Sequence, residues 1–257
     1  MKRAIYLTLL MVSVLMTGCA TAPVQQEATP PAVRSMPEPD IPREQQGFYV
    51  YDPWEPLNRR IYIFNAAFDQ QAFLPLVGVY EFFVPDVVQA GVSNFFKNLR
   101  EITNFMNSVL QFKGAKAATT LGRVAVNTTI GVGGLMDVAS GIEGMKRVDE
   151  DFGQTLGFYG LGPGPYLVLP IFGPSNLRDT GGLVVDSVVY GYVVQQLIAE
   201  LDMKDTNENA LYWGLTALSA IDQRHLQSFR YYMTGSPFEY TLVRKLSQVR
   251  RQFLVDN

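Results

Sequence analysis

Residues 94–112 repeat apolar side chains at a helical interval. Phe95, Leu99, Ile102, Met106 and Val109 share one face, widened by Phe96, Phe105 and Leu110. The opposite face carries Asn94, Asn98, Asn104, Asn107 and Gln111, with few charges. This pattern dictates an amphipathic helix, whose apolar face needs a partner. The default partner is the protein's own core. The alternative is a membrane interface met by the aromatic face.

The rest of the chain reads as further helices. Ala117, Leu121 and Val124 share a face over Lys116–Asn127. Gly181–Ala199 is apolar almost all round, interrupted by Asp186, Gln195 and Gln196. Placing Asp186 in hydrocarbon costs about 2.5–3.5 kcal/mol, so this helix reads as buried or membrane-embedded without necessarily crossing. Asn207–Tyr232 and Phe238–Phe253 make two more. On the last, Leu242, Leu246, Val249 and Phe253 form the apolar stripe. Arg244, Lys245, Arg250 and Arg251 form a basic face, read as solvated, with anionic lipid or an acidic partner as the alternative. Asp52, Pro53 and Glu55 read as a cap for the first helix, which Pro56 delays to Leu57. Arg178 and Asp179 read as a structural ion pair.

Glycine marks the breaks. Gly131-Val132-Gly133-Gly134 fails as a phosphate loop because Met136 occupies the last glycine position of G-x-G-x-x-G, so it reads as a turn. Gly160 to Pro165 is rich in Gly and Pro, and short strands at Leu156–Tyr159 and Tyr166–Leu169 are expected to flank it as a hairpin. No series of alternating strands of about ten residues occurs, which excludes a transmembrane β-barrel. The expected fold is mainly α.

The N-terminus sets the compartment. Lys2 and Arg3 precede an apolar run, Ala4 to Met16, shorter than the roughly 20 residues of a spanning helix. Residues 1–18 therefore read as a secretory signal. Met16-Thr17-Gly18-Cys19 resembles the bacterial lipobox, which implies diacylglycerol on the Cys19 thiol and an acyl group on its amine. Cys19 is the only cysteine, so no internal disulfide forms, and two or more acyl chains give stable attachment. Ala20, rather than Asp, is compatible with delivery to the outer membrane. Residues 19–47 are Pro-rich and read as a disordered tether; residues 48–257 form the folded domain. A net charge of −3 disfavours nucleic acid as a partner. His225 is the only histidine, which leaves no metal site of the usual ligand types. No G-x-S-x-G elbow is present, so neither catalytic residues nor a cofactor beyond the covalent lipid is expected.

Several strings then go beyond pattern. Asp52-Pro53-Trp54-Glu55-Pro56-Leu57-Asn58-Arg59, Asn94-Phe95-Phe96-Lys97-Asn98-Leu99-Arg100-Glu101, the run from Asn127 to Ala139, Asp151 to Gly157, Gly162 to Tyr166 and Leu177-Arg178-Asp179 stand in family order. Together they resemble the MlaA/VacJ family of outer-membrane lipoproteins. The resemblance implies a ring-like bundle of amphipathic helices lying in the inner leaflet of the outer membrane around an amphipathic channel. It implies that misplaced phospholipid is removed from the outer leaflet, keeping the membrane's lipids asymmetric. The implied partners are phospholipids, a trimeric outer-membrane porin, a periplasmic phospholipid-binding protein (MlaC-like) and, indirectly, an inner-membrane ABC transporter. Channel residues expected on this basis are Gly162, Gly164 and Tyr166 in the loop and hairpin, Asn98 and Asn104 on the amide face, and Arg224, which has a surface salt bridge as its rival role. The alternative function is a porin-associated structural lipoprotein without transport.

Overall fold

A computed structural model describes Gly47, Tyr49–Glu200 and Asn207–Asn257. The signal segment, Cys19 and all of the tether but Gly47 lie outside these residues. Among the described residues are eight α-helices and one two-stranded hairpin. They are α1 (Glu55–Phe68), α2 (Leu74–Phe83), α3 (Asp86–Leu110), α4 (Gly114–Thr129), α5 (Phe152–Phe158), β1 (Tyr166–Leu169), β2 (Gly173–Asn176), α6 (Leu177–Glu200), α7 (Glu208–His225) and α8 (Glu239–Asp256). A π-helical turn, Asp69–Phe73, joins α1 to α2. Pro75 explains it. A proline cannot donate to the carbonyl four residues back and its ring clashes there, so the ladder widens; the Leu74 N–H reaches the Asp69 carbonyl.

Packing closes a circuit. α1 continues through the π turn into α2, α2 packs on α7, α7 on α6, α6 on α5, α5 on α8, α8 on β2, and β1 returns to α1. α3 packs on α4 and touches α5, α6 and α7. Two asparagines tie the hairpin into this circuit. Asn58 donates to the Tyr166 carbonyl (3.1 Å) and accepts from the Val168 N–H (2.9 Å). Seven residues on, two helical turns away, Asn65 repeats the pattern with the Leu169 carbonyl (2.9 Å) and the Ile171 N–H (2.8 Å). Their amides satisfy the edge of β1 as a third strand would.

The interior is polar. Buried side chains of α3 include Asn98, Glu101, Thr103, Asn104, Asn107 and Ser108, while Ile102, Val109 and Leu110 are exposed. The 94–112 stripe is therefore core-packed only in part, with Phe95, Leu99, Phe105 and Met106 half-buried: apart from Phe96, the fully buried face is the amide face. An amide face can be buried because its groups find partners. Arg123 of α4, 1% exposed, donates to Glu101 (2.9 Å), Asp137 (3.0 Å) and the Met145 carbonyl (2.7 Å). α8 shows the same inversion. Arg244 donates to Asp52 and Glu55 (both 2.9 Å), whereas Leu242, Leu246, Val249 and Phe253 are exposed. Among the described residues the apolar cluster is small: Val50, Tyr62, Tyr166, Val168 and Tyr240, with Tyr62 edge-on to three neighbouring tyrosines.

Four other expectations change. α1 begins at Glu55, not Leu57, and Asp52 does not cap it; instead Asp52 accepts from Asn58 (2.7 Å), Tyr240 (2.6 Å) and Arg244. Leu156–Phe158 is helical, because the Asp151 carboxylate caps α5 by accepting from the Gln154 N–H (2.9 Å). The partner of β1 is instead Gly173–Asn176, paired antiparallel with Tyr166 opposite Asn176 and Leu169 opposite Gly173. α7 stops at His225 rather than Tyr232 because Arg224 gathers the Gln227 (2.9 Å) and Phe229 (3.0 Å) carbonyls in a non-helical turn.

Candidate functional site

The hairpin, the start of α5, α6 and α8 enclose a cavity of about 370 Å³. Its lining mixes the apolar Val50, Leu169, Phe172, Pro174 and Leu183 with a polar wall of Asp151, Asp179, Asp186, Gln248 and Arg251. Glycines bring the polar wall together. A Cβ on Gly182 would stand 2.3 Å from the Gly153 backbone nitrogen, so α5 and α6 meet without side chains between them. A Cβ on Gly153 would stand 2.6 Å from an Asp179 carboxylate oxygen. Gly153 and Gly157 follow the small-xxx-small spacing that lets helices touch.

Charge in this wall is ordered. Arg251 donates from Nη1 and Nη2 to the two oxygens of Asp151 (2.6 and 2.9 Å), and its Nε lies 2.7 Å from Asp179, off the hydrogen-bond axis. Burial alone would raise the Asp151 carboxyl, but Arg251 and the Gln154 groups outweigh it and hold it below the usual carboxylate range. Burial likewise opposes the charge on Arg251, which the two carboxylates reverse, lifting its pKa. Arg178 donates to Asp179 (2.9 Å), the ion pair expected from sequence. Asp186 accepts only from neutral groups, the Asn107 amide (3.0 Å) and the Phe152 N–H (2.8 Å).

The expected channel residues fall differently. Tyr166 and Gly164 line the cavity; Gly162, Asn98, Asn104 and Arg224 do not. Tyr166 is 3% exposed and packs edge-on to Tyr240. Gly164 has φ +67°, a conformation that favours glycine. Asn98 donates to Thr128 (3.0 Å). Asn104 donates to Glu101 (3.1 Å) and accepts from the Glu150 N–H (3.3 Å). Arg224 is 8% exposed and holds both oxygens of Asp69, at 2.5 and 2.7 Å, so its partner is neither a surface acid nor a free phosphate. Sequence reasoning passed over Asp151, Asp179 and Gln248 as cavity residues and gave Arg251 to a solvated face. One signal was present: Asp186, a lone acid in an apolar helix.

The model of the MlaA lipoprotein family matches residues 50–254. An uncharacterised protein of Rickettsia prowazekii (strain Madrid E) is 38% identical over 197 residues, 76% of this chain and 74% of its own length. The intermembrane phospholipid transport system lipoprotein MlaA of Escherichia coli (strain K12) is 38% identical over 146 residues, 56% of this chain and 57% of its own length. A solved structure reported as "Structural basis for maintenance of bacterial outer membrane lipid asymmetry" superposes with a TM-score of 0.59 and 27% identity, covering 80% of this chain and 100% of that one. The match takes in both the asparagine-tied hairpin and the carboxylate wall, and the chain belongs to the MlaA lipoprotein family.

Proposed function

We propose that the chain is an outer-membrane lipoprotein that removes misplaced phospholipid from the outer leaflet and passes it to a periplasmic lipid carrier. The observation that carries this reading is the reversed polarity of the domain: amides and ion pairs inside, apolar side chains outside, and a cavity lined by both kinds of residue. Phe82, Phe83, Val87, Phe112, Val188, Trp213 and Met233 are each at least two-thirds exposed. Large apolar side chains exposed in this number are what a membrane or a partner surface would cover. Hydrocarbon would cover them, and helices satisfy their own backbone groups there.

A phospholipid is itself divided in this way. Its head loses water partners in hydrocarbon at a cost of several kcal/mol, while its tails are stable there. The polar lining offers the head acceptors and donors; the apolar lining and surrounding lipid receive the tails. Acyl groups on Cys19 hold the domain at the inner leaflet, where the apolar helices embed. A trimeric porin as scaffold, an MlaC-like carrier and an inner-membrane ABC transporter complete the route in this reading. The relatives named for intermembrane phospholipid transport support it.

A deletion strain tests it. Phospholipid should accumulate in the outer leaflet and be cleared by the wild-type gene. Normal asymmetry in the deletion, with altered porin abundance or assembly, would support the structural lipoprotein instead. Fatty acid released by the purified protein would point to a lipase.

A further inference from the structure

The cavity contains three carboxylates, Asp151, Asp179 and Asp186, and one guanidinium, Arg251. That guanidinium already faces Asp151 and Asp179 from all three nitrogens. Asp179 has a second cation, Arg178, at its back. Among the described residues Asp186 has no ion pair: its hydrogen-bond donors are neutral, and Arg251 acts on it only at longer range. Two further lining groups lack partners. The Tyr166 hydroxyl is buried without a hydrogen bond of normal geometry, with the Ser247 hydroxyl beside it. The Gln248 carbonyl oxygen is an acceptor with no donor. Of the ten such buried atoms among the described residues, these two and the Arg251 Nε, which lies against Asp179, belong to this cavity. Among the described residues it therefore offers a spare amide oxygen, a spare hydroxyl and one carboxylate outside any ion pair, while its guanidinium is taken up by Asp151 and Asp179.

The complementary group is cationic and rich in donors. A primary ammonium carries three N–H donors; a quaternary ammonium carries the charge but none; a glycerol head leaves the lipid anionic. We propose that this cavity selects phospholipids whose head group bears a primary ammonium, of the phosphatidylethanolamine class, with Asp186, Gln248 and Tyr166 as the recognising side chains. This inference rests on the lipid-transport reading.

The test uses the acylated full-length lipoprotein in mixed micelles of equal parts phosphatidylethanolamine, phosphatidylcholine and phosphatidylglycerol. Retained lipid is quantified by mass spectrometry after re-isolation. Phosphatidylethanolamine should exceed each of the others about tenfold, the worth of one hydrogen bond to a charged group. Asp186→Asn should bring the ratio to phosphatidylglycerol close to parity. Gln248→Lys should invert it, and decides the matter if Asp186→Asn does not fold. Phosphatidylglycerol or phosphatidylcholine retained as well as phosphatidylethanolamine by the wild type overturns the selectivity while leaving transport standing. A ratio unmoved in both variants does the same. Retention of no lipid at all removes the transport reading and this inference with it.

Discussion

Arg224 separates a structural from a lipid-binding role. It and Asp69 are 8% and 6% exposed, joined by two hydrogen bonds of 2.5 and 2.7 Å across 155 positions of sequence. The remaining donors hold the Gln227 and Phe229 carbonyls. Arg224→Met removes the cation and leaves Asp69 buried against an apolar group in the π turn. Breaking a buried pair from one side costs about 3–5 kcal/mol. For a domain of this size each kcal/mol moves the midpoint by about 2–4 °C, so the variant should melt about 6–20 °C lower. Removing both charges, as Asp69→Leu with Arg224→Met, should recover much of that loss, because the desolvation penalty of the orphaned carboxylate goes with it. The assay is thermal unfolding in one detergent at one concentration, followed by circular dichroism, with retained phospholipid measured on the same samples below the midpoint. A single variant that melts with the wild type but loses lipid would refute the reasoning and make Arg224 a head-group ligand. So would a double variant no more stable than the single.

Gly182→Ala should cost about 3 kcal/mol or more, since its Cβ would meet Gly153 backbone atoms at 2.3 and 2.7 Å; Gly181→Ala, with nothing within 4 Å, should be neutral or slightly stabilising, and equal unfolding midpoints for the two would refute the close approach. Asn104→Leu should destabilise by about 1–3 kcal/mol by stripping partners from Glu101 and the Glu150 N–H; an unchanged midpoint with impaired lipid asymmetry would return Asn104 to a channel role. Burial raises the Asp137 carboxyl, but Ser140, Asn127 and Arg123 outweigh it and bring it down to about 2 from 3.8. Its depressed value stabilises the fold above 3.8, and that stabilisation is lost as pH falls through about 2. The midpoint gap between wild type and Asp137→Asn should therefore close on acidification from pH 6 to about 2; a constant gap would show that the carboxylate charge is not the cause. Cys19→Ser behind a cleavable signal should still sediment with membranes, because the exposed apolar side chains remain; full solubility without detergent would leave the acyl chains as the sole attachment.

Helices were legible because their cause is local. The 94–112 period, the glycine breaks and the apolar 181–199 run all reappear in α3, the turn after α4, and α6. Which face points inward was not legible, since periodicity reports two faces and is silent on the solvent outside. The partners of Asn104 and Arg251, Glu150 and Asp151, were invisible for the same reason: they lie 46 and 100 positions away. The hairpin was half visible. Tyr166–Leu169 has strand-forming residues, but β2 reads Gly-Pro-Ser-Asn, a poor strand on propensity alone, held by register with β1 and by neighbours on α8.

Reversed polarity also explains why the motifs are spread along the chain. A soluble domain draws stability from apolar burial, which is non-directional and tolerant of substitution. Here the interior joins distant segments by directional pairs: Asp52 to Arg244, Asn58 to the hairpin, Glu101 to Arg123, Asp151 to Arg251. Each needs a particular group at a particular place, because a half-satisfied buried pair costs more than none. The motif residues are thus bound by geometry even where they touch no lipid. Asp186 stands apart as a carboxylate of the cavity with only neutral donors. Both of its oxygens are used, one by the Asn107 amide and one by the Phe152 N–H, so an asparagine there would keep one of these bonds and turn its own amide donor toward the other. Burial raises its pKa, and a ligand that brings a cation would hold it charged; with lipid retention measured below the variant's own unfolding midpoint, Asp186→Asn should lose head-group discrimination, and discrimination unchanged there would refute recognition by this carboxylate.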